Sequence, residues 1–224
     1  GKGKSISHGV AALEYDLAKE INGQAVATEI ARHELYGCTG AEMVQEMKPY
    51  HIDFPNVKNN CLRFEVSPSI EESATFTDAD WAELGNDFMQ RMGLANHQYI
   101  IIRHSGTESK KEQAHLHILA NRVSLSGELY RDNWIGKKAT EAANAIAKER
   151  NFVQSQDIGK VNKAEIKEAM DGVLKKMQGF DFTKFKEELG KRGFKVREAR
   201  ASTGKLNGYY VTARRKSANT FFRR

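Results

Sequence analysis

The stretch 99-YIIIRHSGTESKKEQAHLHILA-120 holds two apolar, β-rich runs, 99–104 and 115–120, joined by a polar loop over 105–114. Two such runs in succession predict neighbouring strands. Upstream, residues 61–67 alternate in polarity and stop at Pro68, which predicts another strand. Thr77 followed by Asp80 has the spacing of a capping box, and Trp81, Leu84, Phe88 and Met92 continue at helical spacing, predicting a helix with one buried stripe. Val10, Leu13, Leu17 and Ile21 predict a first helix, and residues 29–47 predict helical segments broken near Gly37 to Gly40. Downstream, helices are predicted over 136–151, 163–177 and 182–191, then two strands over 194–197 and 208–212 around a turn near Gly204. This order gives an α+β class: a central antiparallel sheet flanked by helices in a first domain, residues 1–156, followed by a basic C-terminal αββ extension, residues 157–224.

The chain has 224 residues, 40% of them hydrophobic, enough for one substantial core with appended elements. Its net charge of +6 is unevenly spread: residues 184–224 hold 13 basic and 3 acidic side chains, a net +10, so the remainder is −4. A basic block of this kind binds polyanions by releasing condensed counterions, which makes nucleic acid the leading partner; a solvated basic tail is the alternative. Cys38 and Cys61 have no paired-ligand spacing, which argues against a disulfide framework or a zinc ribbon and for an intracellular protein. No apolar run has the length of a membrane span, and the opening GKGKSISHG lacks the apolar core of a signal peptide, so membrane insertion is not expected. The chain ends on Arg223 and Arg224 without a stop signal and is expected to continue.

Alternate side chains of a strand share a face, so His115 and His117 project together while Leu116 and Ile118 enter the apolar side. His104 closes the preceding strand and reaches the same sheet end if the two strands pair. Three of the seven histidines thus fall within 104–117, without cysteine partners. Neutral imidazoles suit Mn, Zn, Ni or similar ions and leave positions open for water or phosphate oxygens, as a catalytic site does. Spacing alone leaves open the alternative of ordinary half-buried histidines.

The stretch from Gln98 to Trp134 resembles the metal-binding motif of relaxase/mobilisation nucleases, a His-hydrophobic-His family of single-strand endonucleases that includes the border-nicking protein of plant-transforming bacteria. His104, His115, His117, Asn121, Arg122 and Gly127 match that motif in order. HGVAALEYDLAKE is similar to the helix that carries the family's nucleophilic tyrosine, here Tyr15, and LRFEVSPS to the strand carrying its DNA-contacting serine, here Ser67. The likeness spans about residues 5–152, and the C-terminal part is similar to the extension of Bacteroides-type mobilisation proteins. In one respect the chain departs from the family: the acidic residue expected two positions after the first histidine is Gly106, and Glu108 in the longer loop is the candidate to orient a histidine in its place.

The resemblance implies a DNA relaxase that nicks single-stranded or hairpin DNA at an origin of transfer through a 5′-phosphotyrosine and rejoins it. It also implies a divalent ion (Mg, Mn or similar), DNA contacts from Ser67, Asn121, Arg122 and Arg131, accessory mobilisation proteins, and a type IV secretion coupling protein. A bacterial cytoplasmic location with passage into a recipient cell follows. Helical geometry bears on Tyr15 independently: it lies about 140° around the helix from Val10, outside the predicted stripe. It can equally be a tyrosine packed on a neighbour. Two rival readings remain: a rolling-circle replication initiator, which commonly places its tyrosine after the His-x-His strand, and a nucleic-acid-binding module without catalysis.

Overall fold

The computed structural model describes residues 1–106, 113–213 and 219–223, and the chain divides into two units, Gly1–Phe152 and Val153–Arg224. The first contains β1 (Lys2–Ile6), α1 (Gly9–Leu17), the short strands β2 (Glu20–Ile21) and β3 (Gln24–Ala25), β4 (Ala27–His33), α2 (Gly40–Met47) and a 3-10 turn (Lys48–His51). It continues with β5 (Cys61–Val66), α3 (Ile70–Ser73), α4 (Asp78–Arg91), β6 (His97–His104), β7 (His115–Ser124) and α5 (Ile135–Glu149). Five of its strands form one sheet in the order β1-β5-β7-β6-β4, with every pairing antiparallel. The class is α+β, as the order of elements predicts.

Both faces of this sheet are covered. Phe64, Ile101, Leu116 and Ile118 pack with Trp81 and Phe88 of α4 and Ala139 and Ile146 of α5. Ile100, Ile102 and Leu119 pack on the other side with Leu13 of α1 and Met43 and Met47 of α2. Burial on two faces explains why residues 100–102 read as a continuous apolar run instead of alternating; each is at most 1% exposed. The predicted cap of α4 forms with both arms, Thr77 Oγ1 accepting from the Asp80 amide and the Asp80 carboxylate from the Thr77 amide.

Three sequence expectations change. The first helix stops at Leu17, and Ile21 lies in a hairpin whose turn residues Asn22 and Gly23 both have positive φ, the pairing such two-residue turns favour. Val10 is 40% exposed, and the buried side of α1 is Gly9, Ala12, Leu13 and Asp16. Residues 29–33, expected to be helical, belong to the edge strand β4, because pairing with β6 and packing of Ile30 and Ala31 on the core outweigh local helix propensity. The unpredicted β1 is an edge strand bearing lysines, with Gly3 where a Cβ would come within 2.8 Å of the Phe64 ring.

The second unit contains α6 (Ser155–Leu174), α7 (Phe182–Lys191), β8 (Phe194–Arg200), β9 (Leu206–Ala213) and β10 (Asn219–Arg223). Its antiparallel sheet, ordered β10-β9-β8, buries Val196 and Val211 against Ile166, Val173, Phe185 and Leu189 of the helices. β10 adds a strand to the expected extension. Among the described residues no helix is long and apolar enough to cross a membrane.

Candidate active site

Pairing of β6 with β7 sets His104 opposite His115 and Ile102 opposite His117. Opposed residues share a face, so the three imidazoles meet at one end of the sheet, beyond the apolar layer under α1. Their ligand-capable atoms all lie within 4.8 Å of one another. Ring centroids are 4.5 Å apart for His104 and His117, and 4.9 Å for His115 and His117. Burial pushes the His117 imidazolium down to about 2, with His104 and Arg63 adding to the effect, and burial also lowers His104. A histidine held neutral keeps a lone pair for an ion.

Hydrogen bonds indicate which nitrogens carry those lone pairs. A carbonyl oxygen only accepts, so His104 Nε2 donates to the Asp16 carbonyl at 2.7 Å, leaving Nδ1 unprotonated. His115 Nδ1 lies 3.2 Å from the Gln113 carbonyl, which leaves its Nε2 facing His117 Nε2 at 3.1 Å. Metal–imidazole bonds of about 2.0–2.1 Å place neighbouring nitrogens of one ion roughly 2.9–3.4 Å apart. The donor set therefore fits a divalent ion. To present Nε2, His117 must carry its proton on Nδ1, and Asp16 Oδ1 lies 3.8 Å from that nitrogen.

Asp16 is the residue that sequence reasoning missed. It is 1% exposed, and its carboxylate receives two bonds from Arg63, Nε to Oδ2 at 2.9 Å and a second guanidinium nitrogen to Oδ1 at 2.5 Å. That second nitrogen also lies 3.2 Å from His117 Nδ1, to which it can donate only in the tautomer with the proton on Nε2, so an ion on Nε2 requires this contact to give way to the Asp16 carboxylate. Through its main chain and side chain, Asp16 touches both His104 and the Arg63–His117 pair. An acidic side chain between Leu13 and Leu17 on a helix, with an arginine inside the apolar strand β5, was the available signal.

Tyr15 precedes Asp16. It is 56% exposed, and its hydroxyl accepts from Lys19 Nζ at 2.7 Å. Ser67 follows β5 and accepts from the Gln113 side chain at 3.1 Å, which joins it to the residue whose carbonyl orients His115. Glu108 lies outside the described residues. Arg131 is exposed.

Asn121 and Arg122 are placed differently from the expectation of DNA contact. Four and five residues along β7 from His117, they lie about 13–17 Å away. Asn121 is 0% exposed and bonds to His51, Gln98, the Met47 carbonyl and the Val123 amide. Arg122 directs its guanidinium to the Tyr130 and Asn59 carbonyls and to Asp132, clamping two loops. Both side chains are consumed by the fold.

On the side toward β1, His117 alone of the triad lines a cleft of about 340 Å³, together with Lys2, Gly3, Lys4, Arg63, Phe64 and Glu65. Its cations sit where a polyanion would approach the histidines. The family model described as "Relaxase: MobA/VirD2-like, nuclease domain" matches residues 15–152, more than half of the chain. Comparisons with curated proteins and with solved structures found no match.

Proposed function

This chain belongs to the relaxase family, with its MobA/VirD2-like nuclease domain, and from that premise we propose that Tyr15 is the nucleophile that cuts one DNA strand at an origin of transfer. The family places it among enzymes that nick DNA and bind single strands. The finer reading rests on one observation: the bond from His104 to the Asp16 carbonyl ties the histidine cluster to the residue next to Tyr15.

In this reading the Tyr15 oxygen attacks phosphorus as its proton leaves, and the bond from phosphorus to the 3′-oxygen breaks. The 3′-oxygen takes up a proton, and the 5′-phosphate remains on the tyrosine. One phosphodiester replaces another, so attack by a 3′-hydroxyl reverses the step and rejoins the strand without ATP. Lys19, bonded to the phenolic oxygen, holds the nucleophile and faces the incoming phosphate with positive charge. Asp16 and Arg63 fix the orientation of His104 and His117. A divalent ion such as Mg or Mn, held by His104, His115 and His117, would neutralise charge on a non-bridging phosphate oxygen. Ser67 and Arg131 are proposed DNA contacts.

Residues 1–152 act as the catalytic domain, a boundary earlier than the expected 156 because α6 begins at Ser155, and the basic second unit, 153–224, adds salt-sensitive affinity for the DNA backbone. Accessory mobilisation proteins and a type IV coupling protein would deliver the adduct from the bacterial cytoplasm to a recipient. The test is a covalent protein–DNA adduct on a cognate single strand, with the modified residue mapped by peptide mass. Tyr15→Phe should abolish the adduct and keep strand binding. An adduct at the wild-type rate in that variant rejects Tyr15.

A further inference from the structure

Lysine alternates with glycine along 2-KGK-4, and the period of two decides which face each residue takes. Gly3 lies against Phe64 and Ala139, on the side covered by α4 and α5, so Lys2 and Lys4 stand on the opposite face, the one that bears His117. Lys2 opposes Glu65, which opposes His117, while Lys4 opposes Arg63 one pair further in. Two strand spacings therefore separate Lys2 from His117, about 10 Å between Cα atoms. Lysines on an edge strand discourage pairing with other chains, but that role needs no cleft, and these two line one together with His117.

The charges of this cleft do not balance. Arg63 is bound to the Asp16 carboxylate and Lys2 to Glu65 at 2.9 Å, whereas Lys4 is exposed and, among the described residues, pairs with no acid. One positive charge is left over beside the histidines. The two ion pairs also differ in how readily they open. Asp16 is buried, at 2% side-chain exposure, so Arg63 stays with it; the side chains of Lys2 and Glu65 are 78% and 34% exposed, where an ion pair is worth no more than about 5-fold in an equilibrium.

We propose that Lys4 anchors a backbone phosphate of the DNA strand beside the histidine cluster, and that Glu65 restrains this subsite by holding Lys2, which a second phosphate takes over when the strand is seated. The inference rests on the proposed single-strand substrate and adds to it a phosphate subsite with its own counter-charge. A lysine ammonium meets phosphate as a point charge and reads no base, so the subsite fixes how the strand lies and leaves its sequence unread.

The test is binding of a labelled dT oligonucleotide, followed by fluorescence anisotropy over a range of salt concentrations. Lys4→Gln should flatten the dependence of log K on log salt by about 0.7, the slope for one phosphate contact on a single strand. Lys148→Gln removes the same charge from the exposed last turn of α5, which packs on the other face of the sheet, and should leave the slope at wild type. Glu65→Gln should tighten binding by about 1.5- to 5-fold, the worth of one exposed ion pair, and the gain should shrink when Lys2→Gln is added. A wild-type slope in Lys4→Gln, or an equal loss in Lys148→Gln, overturns the anchor. Binding that Glu65→Gln leaves unchanged or weakens overturns the restraint, as does a gain that survives Lys2→Gln in full. Wild-type protein that gives these responses but never forms a tyrosine adduct sinks the proposed reaction and leaves the subsite standing; an adduct on Tyr15, with Lys4→Gln binding like wild type, does the reverse.

Discussion

The β6–β7 pair carries buried polar side chains at both ends, and the two ends use them differently. At the Asn121 end, His97 donates to the Asn121 carbonyl at 2.9 Å, and the Asn121 amide meets Gln98, Met47, Val123 and His51, so each donor closes on an acceptor. At the His104 end the outward nitrogens of His104 and His115 donate to the Asp16 and Gln113 carbonyls, the Asp16 carboxylate stands 3.8 Å from that of His117, and His115 and His117 bring Nε2 atoms together at 3.1 Å. One network closes on itself and holds loops. The other converges on a point that an ion would fill. Buried polarity alone does not mark a site; convergence of lone pairs does.

The largest test of this contrast is removal of the imidazoles. His104→Ala, His115→Ala and His117→Ala should each lower the rate of adduct formation by more than about 100-fold, since losing merely an orienting partner costs about 10- to 100-fold. Far-UV dichroism melts should show far smaller changes, because the core on either sheet face is untouched. A variant that binds Mn in calorimetry like wild type and nicks normally would remove that histidine from the cluster.

Asp16→Asn should come next, with metal affinity or adduct rate reduced by about 10- to 100-fold, and Asp16→Glu should recover part of it. Unchanged metal titration in Asp16→Asn would make the residue a packing element for Arg63 alone. At the opposite end, Asn121→Ala should leave adduct formation per folded molecule near wild type while urea unfolding loses about 2 kcal/mol or more, since several buried groups lose partners. Wild-type stability in that variant would mean the network is dispensable.

The smallest effect sharpens the comparison through pH. Burial lowers His97, His104 and His117 below the ordinary histidine value. Below about pH 6.5 the unfolded chain takes up protons that the folded chain refuses, so stability of the metal-free protein must fall as pH falls through that window. The urea midpoint should be lower at about pH 5.5 than at about pH 7.5. A His104→Ala, His117→Ala double variant should flatten the trend, and an unaltered slope would assign it to His97.

Much of this arrangement was legible because it follows from spacing. The period of two places His115 and His117 together, and adjacency of the two apolar runs brings His104 beside them. What escaped depends on contacts distant in sequence. β1 is written in glycine and lysine, which signal a strand only once an edge partner such as β5 exists. Ala27–His33 has helical composition and yields to its pairing with β6. Asn121 and Arg122 match a motif in sequence, yet their side chains are spent on loops that no local pattern reveals. The hairpin at Asn22-Gly23 carried a local two-residue signal, but the helical spacing of Ile21 masked it, and α1 ends at Leu17, just past Tyr15.

β7 is the middle strand of five, hydrogen-bonded to β5 on one side and β6 on the other. Its amides should therefore exchange with solvent deuterium only through openings that approach global unfolding, whereas those of the edge strands β1 and β4 exchange by fraying. Two of the three histidines ride on the slowest-exchanging part of the molecule. Chelation followed by re-addition of an ion should thus proceed as a simple binding event, without a refolding phase, and the vacant cluster should keep its shape for as long as the domain stays folded.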